Sequence, residues 1–173
     1  ATFGTGEIFL NLTNALAAAF GPFNKTAPDA NNITLGTDGS VNGNGDTYIC
    51  YAFADVKGYS KFASYTGDGK SSGPFVYTGF KPAWLMIKRT DSANDWAIYD
   101  VKRGNNGNDI ILKANSNDTD ESGNHASETD LLSNGFKMRS TSTRHNASGG
   151  TYVYMAFAEH PFVTGTGTPV NAR

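Results

Sequence analysis

Near its beginning and again near its end, the chain carries almost the same run of residues. Asn42-Gly-Asn-Gly-Asp-Thr-Tyr-Ile-Cys-Tyr-Ala-Phe-Ala-Asp55 returns as Asn146-Ala-Ser-Gly-Gly-Thr-Tyr-Val-Tyr-Met-Ala-Phe-Ala-Glu159, about 104 positions later throughout. Upstream, Asn32-Ile-Thr-Leu-Gly36 answers Gly135-Phe-Lys-Met-Arg139 with one residue of slip. Each copy passes from an apolar run through an Asn/Gly/Ser turn into a β-branched and aromatic run ending in Ala-Phe-Ala. That pattern predicts a β-hairpin written twice, over residues 32–55 and 135–159, in equivalent places of one all-β framework.

From Ile33 onward the chain is dense in turn signals: Asp38-Gly39, Asn44-Gly45, Gly67-Asp-Gly69, Ser72-Gly-Pro74, Asn106-Gly107 and Asn134-Gly135. Asn-Gly and Asp-Gly tolerate the positive φ angles of tight turns, so they bracket strands. The runs they bracket are Thr47–Phe53, Lys61–Tyr65, Phe75–Gly79, Trp84–Arg89, Trp96–Asp100, Ile110–Lys113, Phe136–Ser140 and Thr151–Glu159. Trp84–Arg89 and Trp96–Asp100 should pair across the polar turn Asp91–Asp95. Strands of this number and spacing predict an antiparallel β-sandwich of jelly-roll or concanavalin-like type over residues 31–173.

Residues 1–30 read differently, as a helical and linker segment. Phe9, Leu12, Leu16, Ala19 and Phe23 keep the spacing of a short coiled-coil seam, Ala15–Ala19 favours helix, and Gly21-Pro22 would stop it. A short helix over Glu7–Phe20 is the expectation. Phe9, Leu12, Leu16 and Phe20 would then bury apolar surface between subunits of a homo-oligomer, a trimer being favoured; the competing reading is an amphipathic helix lying on the sandwich of its own chain.

Composition removes several function classes. The net charge is −2, with 17% charged residues, which leaves no basic footprint for nucleic acid. No run approaches the ~20 apolar residues of a membrane-inserted helix. A lone cysteine, Cys50, makes no internal disulfide and is expected as a small buried thiol in an apolar strand. His125, His145 and His160 are dispersed, in no metal-ligand spacing, and are expected to be exposed loop residues. No catalytic residues are assigned. Asp100, Asp109 and Glu159 each stand alone, without the paired carboxylates that glycoside hydrolysis needs.

Two constellations could hold ligands. Asp118, Asp120 and Ser122, followed by Gly123, have the spacing of the first half of a calcium loop. Thr129 occupies the twelfth position, so Glu128 or Asp130 would have to complete it, against the alternative of an acidic solvated turn. No other cofactor is implied. The second constellation surrounds Trp96. With Asp95, Asn94 and Arg89 beside it, an aromatic ring at a rim could stack on the C–H face of a sugar while amides and charges meet its hydroxyls. Burial in the core or in a subunit interface is the competing reading.

Three stretches together carry a family resemblance: Tyr77-Thr-Gly-Phe-Lys-Pro-Ala-Trp-Leu-Met-Ile-Lys-Arg89, Leu132-Ser-Asn-Gly-Phe-Lys-Met-Arg139 and Asn146–Ala158. In order and spacing they resemble a domain that recurs in structural proteins of tailed phages, particularly marine ones, often beside concanavalin-like modules. The closing Pro169-Val-Asn-Ala-Arg173 resembles how such domains finish. The resemblance spans roughly Ile33 to Arg173 and brings no catalytic residues with it. It implies a virion component exposed on the particle surface, in a tail fibre or appendage, with other virion proteins and a host-surface glycan as expected partners. Capsid decoration or assembly with virion partners alone, and a glycan depolymerase, are the rival expectations.

Overall fold

The computed structural model describes residues 6–18, 21–103, 110–119, 121–122 and 128–161. It is nearly all β, with antiparallel sheets and almost no helix. The strands are β1 (Ser60–Thr66), β2 (Phe75–Tyr77), β3 (Pro82–Arg89), β4 (Ala97–Asp100), β5 (Ile110–Ile111), β6 (Glu121–Ser122), β7 (Thr129–Leu132), β8 (Gly135–Met138) and β9 (Thr151–Ala158). A single helical turn, α1, covers Gly39–Asn42 and is capped by the Asp38 side chain.

The larger sheet has four strands in the order β1-β9-β3-β4, and the smaller has three in the order β2-β8-β7. A short ribbon of β5 and β6 completes the set. β9 is the axis of the larger sheet. It pairs with β1 from Ser60↔Phe157 to Thr66↔Thr151, and with β3 from Pro82↔Ala158 to Arg89↔Tyr152, with a bulge between Pro82 and Trp84. The anticipated pairing of the two tryptophan-bearing runs is present as β3–β4, with Trp84↔Asp100 and Ile87↔Ala97.

Alternation along these strands places the core between the sheets. Leu85, Ile87, Tyr99, Tyr152 and Ala156 from the larger sheet are fully buried together with Phe136 and Met138 of β8. Tyr65, Phe136 and Tyr154 join in edge-on and tilted ring contacts, centroids 5.1–6.4 Å apart. Each such fully buried large apolar side chain contributes roughly 1.5–3 kcal/mol. Gly135 lets β8 approach β2 closely, since a Cβ there would lie 2.1 Å from the Val76 carbonyl oxygen.

Several expectations change. The helix over Glu7–Phe20 is absent from the described part of that span. Glu7 and Ala17 instead exchange backbone hydrogen bonds at 2.9 and 3.0 Å, Leu16 N–H donates to Thr90 O at 2.9 Å, and Asn94 N–H donates to Thr13 O at 2.9 Å. A helix this short gains little on its own, and these bonds, within the segment and to the turn between β3 and β4, outweigh its local propensity. Phe20 lies outside the described residues. Thr47–Phe53 is in no strand, and Cys50 within it is exposed, not buried. The run 135–159 is not one hairpin: β8 belongs to the smaller sheet and β9 to the larger, and the chain crosses between them over residues 139–150.

Candidate functional site

The second face of the larger sheet is apolar too. Because side chains alternate, Trp84 and Met86 of β3, Val153, Met155 and Phe157 of β9 and Phe62 of β1 point away from the core shared with the smaller sheet. β9 reads as a nearly continuous apolar run for this reason, having neighbours on both faces. Phe157 sits at the centre of an aromatic group, with Phe53, Tyr59, Phe62 and Trp84 centroids at 5.7–6.1 Å. Ile8, Ala27, Pro28 and Phe53 partly roof this face and leave a groove of about 550 Å³, floored by Met86 and Met155 and bordered by Trp96. Methionine adapts to irregular shapes, so the floor suits an apolar or aromatic surface better than a point charge.

Trp96 stands at the rim in a fixed pose. Its indole N–H donates to Phe9 O at 2.9 Å, and its backbone N–H donates to the Asn115 side-chain oxygen at 2.8 Å. Asn115 turns its amide NH2 to Asp95 at 2.8 Å, and Lys113 stands 3.5 Å from Asp95 and 3.1 Å from Asp118. Asp95 therefore lies beside Trp96 as expected, within a polar network. Asn94 is tied by its backbone to Thr13. Arg89 is not part of this cluster. It follows Lys88 on β3 and so points to the other side, where its guanidinium grips Asp91 at 2.9 and 3.0 Å and Thr143 O at 3.3 Å.

Beneath the N-terminal segment, the Lys88 ammonium is fully buried and donates to Arg89 O at 2.7 Å and Thr13 O at 3.2 Å. Burial lowers its pKa, partly opposed by the charge of Asp95. Lys88 thus fastens residues 13–16 over the same sheet face that forms the groove.

The calcium constellation is divided. Asp118 is exposed and committed to Lys113, with Ser116 accepting from its backbone N–H. Side-chain hydrogen bonding from Ser116 is the main cause lowering its pKa, followed by the hydrogen bond and charge of Lys113. Asp120 lies outside the described residues, and the Ser122 side chain is likewise not described. Glu128 is buried, its carboxylate 3.5 Å from His145 Nε2. Among the described residues, no group of three or more His, Cys, Asp or Glu side chains is placed to hold a metal.

His145 itself is a correction. It is fully buried, with Nδ1 3.2 Å from the Tyr99 hydroxyl, and its carbonyl accepts from the Tyr65 hydroxyl at 2.6 Å. A tight turn after Ser142 folds the histidine inward between the sheets, which turn residues alone do not reveal. His160 is exposed, and His125 lies outside the described residues. Of the proposed oligomer residues, Phe9, Leu12 and Leu16 are each more than a third exposed, on an irregular strap and not along a helical seam. The groove residues Met86, Val153 and Met155 were missed in the sequence. The unbroken apolar character of Tyr152–Ala158 was the available signal that both faces of that strand are covered.

The family model described as a domain of unknown function (DUF7483) matches residues 1–161. No curated protein and no solved structure matches the chain.

Proposed function

The chain belongs to the DUF7483 family, and we propose that it serves as a non-enzymatic structural module of a phage virion, carried in a tail fibre or surface appendage and able to attach to host-surface glycan. The finer fold in this reading is a concanavalin-like or jelly-roll sandwich, whose two layers are the four- and three-stranded sheets. The observation that carries the attachment role is the groove on the outer sheet face, with Trp96 at its rim beside Asp95 and Asn115. A sugar can stack on an aromatic ring while its hydroxyls meet amides and carboxylates. The carboxylates near the site are occupied by a cation: Asp95 and Asp118 share Lys113. That pairing suits structural roles better than proton transfer.

Virion placement rests on the sequence resemblance. Labelling purified particles with antibody against the chain tests it directly, and unlabelled particles would remove the virion from the reading. A glycan array with the intact chain and Trp96→Ala tests attachment. Binding that disappears in the variant supports the groove, and binding that persists places attachment elsewhere. No binding, with particles labelled, favours the second reading of capsid decoration or assembly with virion partners alone. The exposed Phe9, Leu12 and Leu16 remain the proposed self-association surface, with a trimer the expected state.

A further inference from the structure

The sequence repeat is also a repeat of hydrogen bonds. In the second copy the Tyr152 hydroxyl donates to Thr143 O at 2.9 Å and accepts from Ala147 N–H at 2.7 Å. In the first, the Tyr48 hydroxyl donates to Gly39 O and accepts from Gly43 N–H at 2.8 Å. Asn146 Nδ2 donates to Ser140 O, and Asn42 Nδ2 to Gly36 O, both at 2.8 Å. The backbone N–H of Asn146 reaches Ser142 O, and that of Asn42 reaches Asp38 O, again both at 2.8 Å. Gly150 N–H closes on Ala147 O at 3.0 Å and Asp46 N–H on Gly43 O at 3.3 Å. The intervening Gly149 and Gly45 adopt φ of 72° and 83°, where a side chain would be strained. Every counterpart pair is 104 residues apart. Residues 36–48 and 140–152 are one corner built twice.

The strands leaving the two corners meet different surroundings. Thr151–Ala158 is β9, paired along both edges. Thr47–Ala54 repeats its Thr, first Tyr, Ala, Phe and Ala, yet among the described residues no backbone hydrogen bond joins residues 47–53 to another segment. Ile49 and Tyr51 are 82% and 81% exposed, while their counterparts Val153 and Met155 are half-buried. By correspondence, Tyr48, Cys50 and Ala52 occupy the inward positions of Tyr152, Tyr154 and Ala156. Ile49, Tyr51 and Phe53 then occupy the outward ones. A segment apolar on both faces belongs in the interior of a sheet; left as a bare edge, it invites aggregation.

We propose that residues 36–54 are the closing corner and strand of a module of this same fold, and that Thr47–Ala54 docks between two antiparallel strands of the β1 and β3 type in that module. Residues 55–59 alone separate this strand from β1. The junction is stiffened where Ser60 Oγ donates to Ala54 O at 2.8 Å and Phe62 N–H donates to the Asp55 carboxylate at 2.7 Å. The protein is thereby a unit of an array, in which the strand that closes one module leads straight into the next.

The chain contains both the segment and a slot of the stated kind, so a graft tests the fit. Residues 140–158 are replaced by the sequence of residues 36–54, and Cys50→Ser in the original copy leaves a single thiol, at position 154. A second graft retains His145 and Tyr154, the inward positions where the copies differ most in size. The expected result is a folded β-rich protein in at least the second graft. Its amides at 152–157 should exchange on the order of 100-fold more slowly than those of residues 48–53 in the unmodified chain. In the first graft, if folded, the position-154 thiol should resist labelling that Cys50 of the unmodified chain accepts. Rapid exchange at 152–157 or loss of folding in both grafts overturns the proposal. Concentration-dependent protection of Cys50 in the unmodified chain would also overturn it, by making a second intact copy the occupant. Neither result depends on the glycan array.

Discussion

Trp96 and Phe9 are joined by a 2.9 Å hydrogen bond from indole N–H to backbone carbonyl, across 87 residues of sequence. The bond pins the N-terminal segment to the outer face of the four-stranded sheet, where Lys88 also holds Thr13. Trp96→Phe keeps an aromatic ring and removes the donor. It should lower stability by about 1 kcal/mol, the usual net value of one such bond. Urea unfolding measures this, and amide exchange should accelerate selectively over residues 7–17.

Tyr48 and Tyr152 make matching hydrogen bonds, but Tyr152 is fully buried and Tyr48 is 45% exposed. Removing the hydroxyl from the buried Tyr152 ring leaves Ala147 N–H short of its acceptor, while Thr143 O keeps the Arg89 guanidinium. Tyr152→Phe should therefore cost about 1–3 kcal/mol. Tyr48→Phe, where water can substitute, should cost less than about 1 kcal/mol. Equal losses in denaturant titrations would contradict the burial difference.

The Ala-Phe-Ala runs should also separate. Sequence alone suggests equal losses for Phe53→Ala and Phe157→Ala. Phe157, however, is ringed by four aromatic neighbours, whereas Phe53 is 59% exposed. Phe157→Ala should cost about 3 kcal/mol and Phe53→Ala about 1 kcal/mol or less, scaled from the cost of emptying a fully buried site. Shifts in the urea midpoint at constant slope would establish the order.

Much of the strand framework was legible because alternation and turn chemistry are local. The runs beginning at Lys61, Phe75, Trp84, Trp96, Ile110, Phe136 and Thr151 all contain strands, displaced by a residue or two. The failures came where distant partners decide. Phe9, Leu12 and Leu16 keep helical spacing, yet Thr90 and Asn94 bond this segment as a strap. Thr47–Phe53 has the composition of a strand, but composition cannot supply the neighbour that a strand needs. β7 lies in the long polar stretch Asn105–Asn134, which only Ile110-Ile-Leu112 and Leu131-Leu132 interrupt. At the candidate site, Trp96 and Asp95 were visible as residue types. Arg89 was grouped with them by proximity in sequence, although strand alternation sends it to the opposite side.

Acid should weaken the protein partly through Asp91. The Arg89 guanidinium is the main cause holding its pKa at about 2, against an opposing push from burial, and the Thr151 N–H adds to the lowering. A carboxylate with a depressed folded-state pKa stabilises fully above its unfolded value, near 3.8. That contribution is lost as pH falls from there toward about 2. The melting temperature of the wild type should fall more steeply over this window than that of Asp91→Asn. Parallel curves would show that the pair contributes nothing.

Alkali acts through the core phenols, with the opposite sign. Burial pushes Tyr154 up to about 12, and Tyr65 and Tyr152 are raised by the same cause first. An unfolded tyrosine ionises near 10, so the unfolded chain loses protons earlier than the folded one. Stability is intact below that value and is lost as pH rises toward about 12. Tyr154→Phe should flatten this alkaline decline, read by ultraviolet titration alongside circular dichroism.

The central position of β9 sets the order in which the protein can be made. Ser60 pairs with Phe157 and Arg89 with Tyr152, so β1 and β3 meet only through a strand synthesised long after both. At roughly 5–20 residues per second, a ribosome needs on the order of several seconds between finishing β3 and completing β9. During that interval β1 has no neighbour in the larger sheet and β3 has only β4, so one edge of each waits for β9. Closure is then a single late event that brings in contacts of high sequence separation together. A nascent chain interrupted before residue 151 lacks the strand that would join β1 to β3, which leaves it open to degradation instead of half-working.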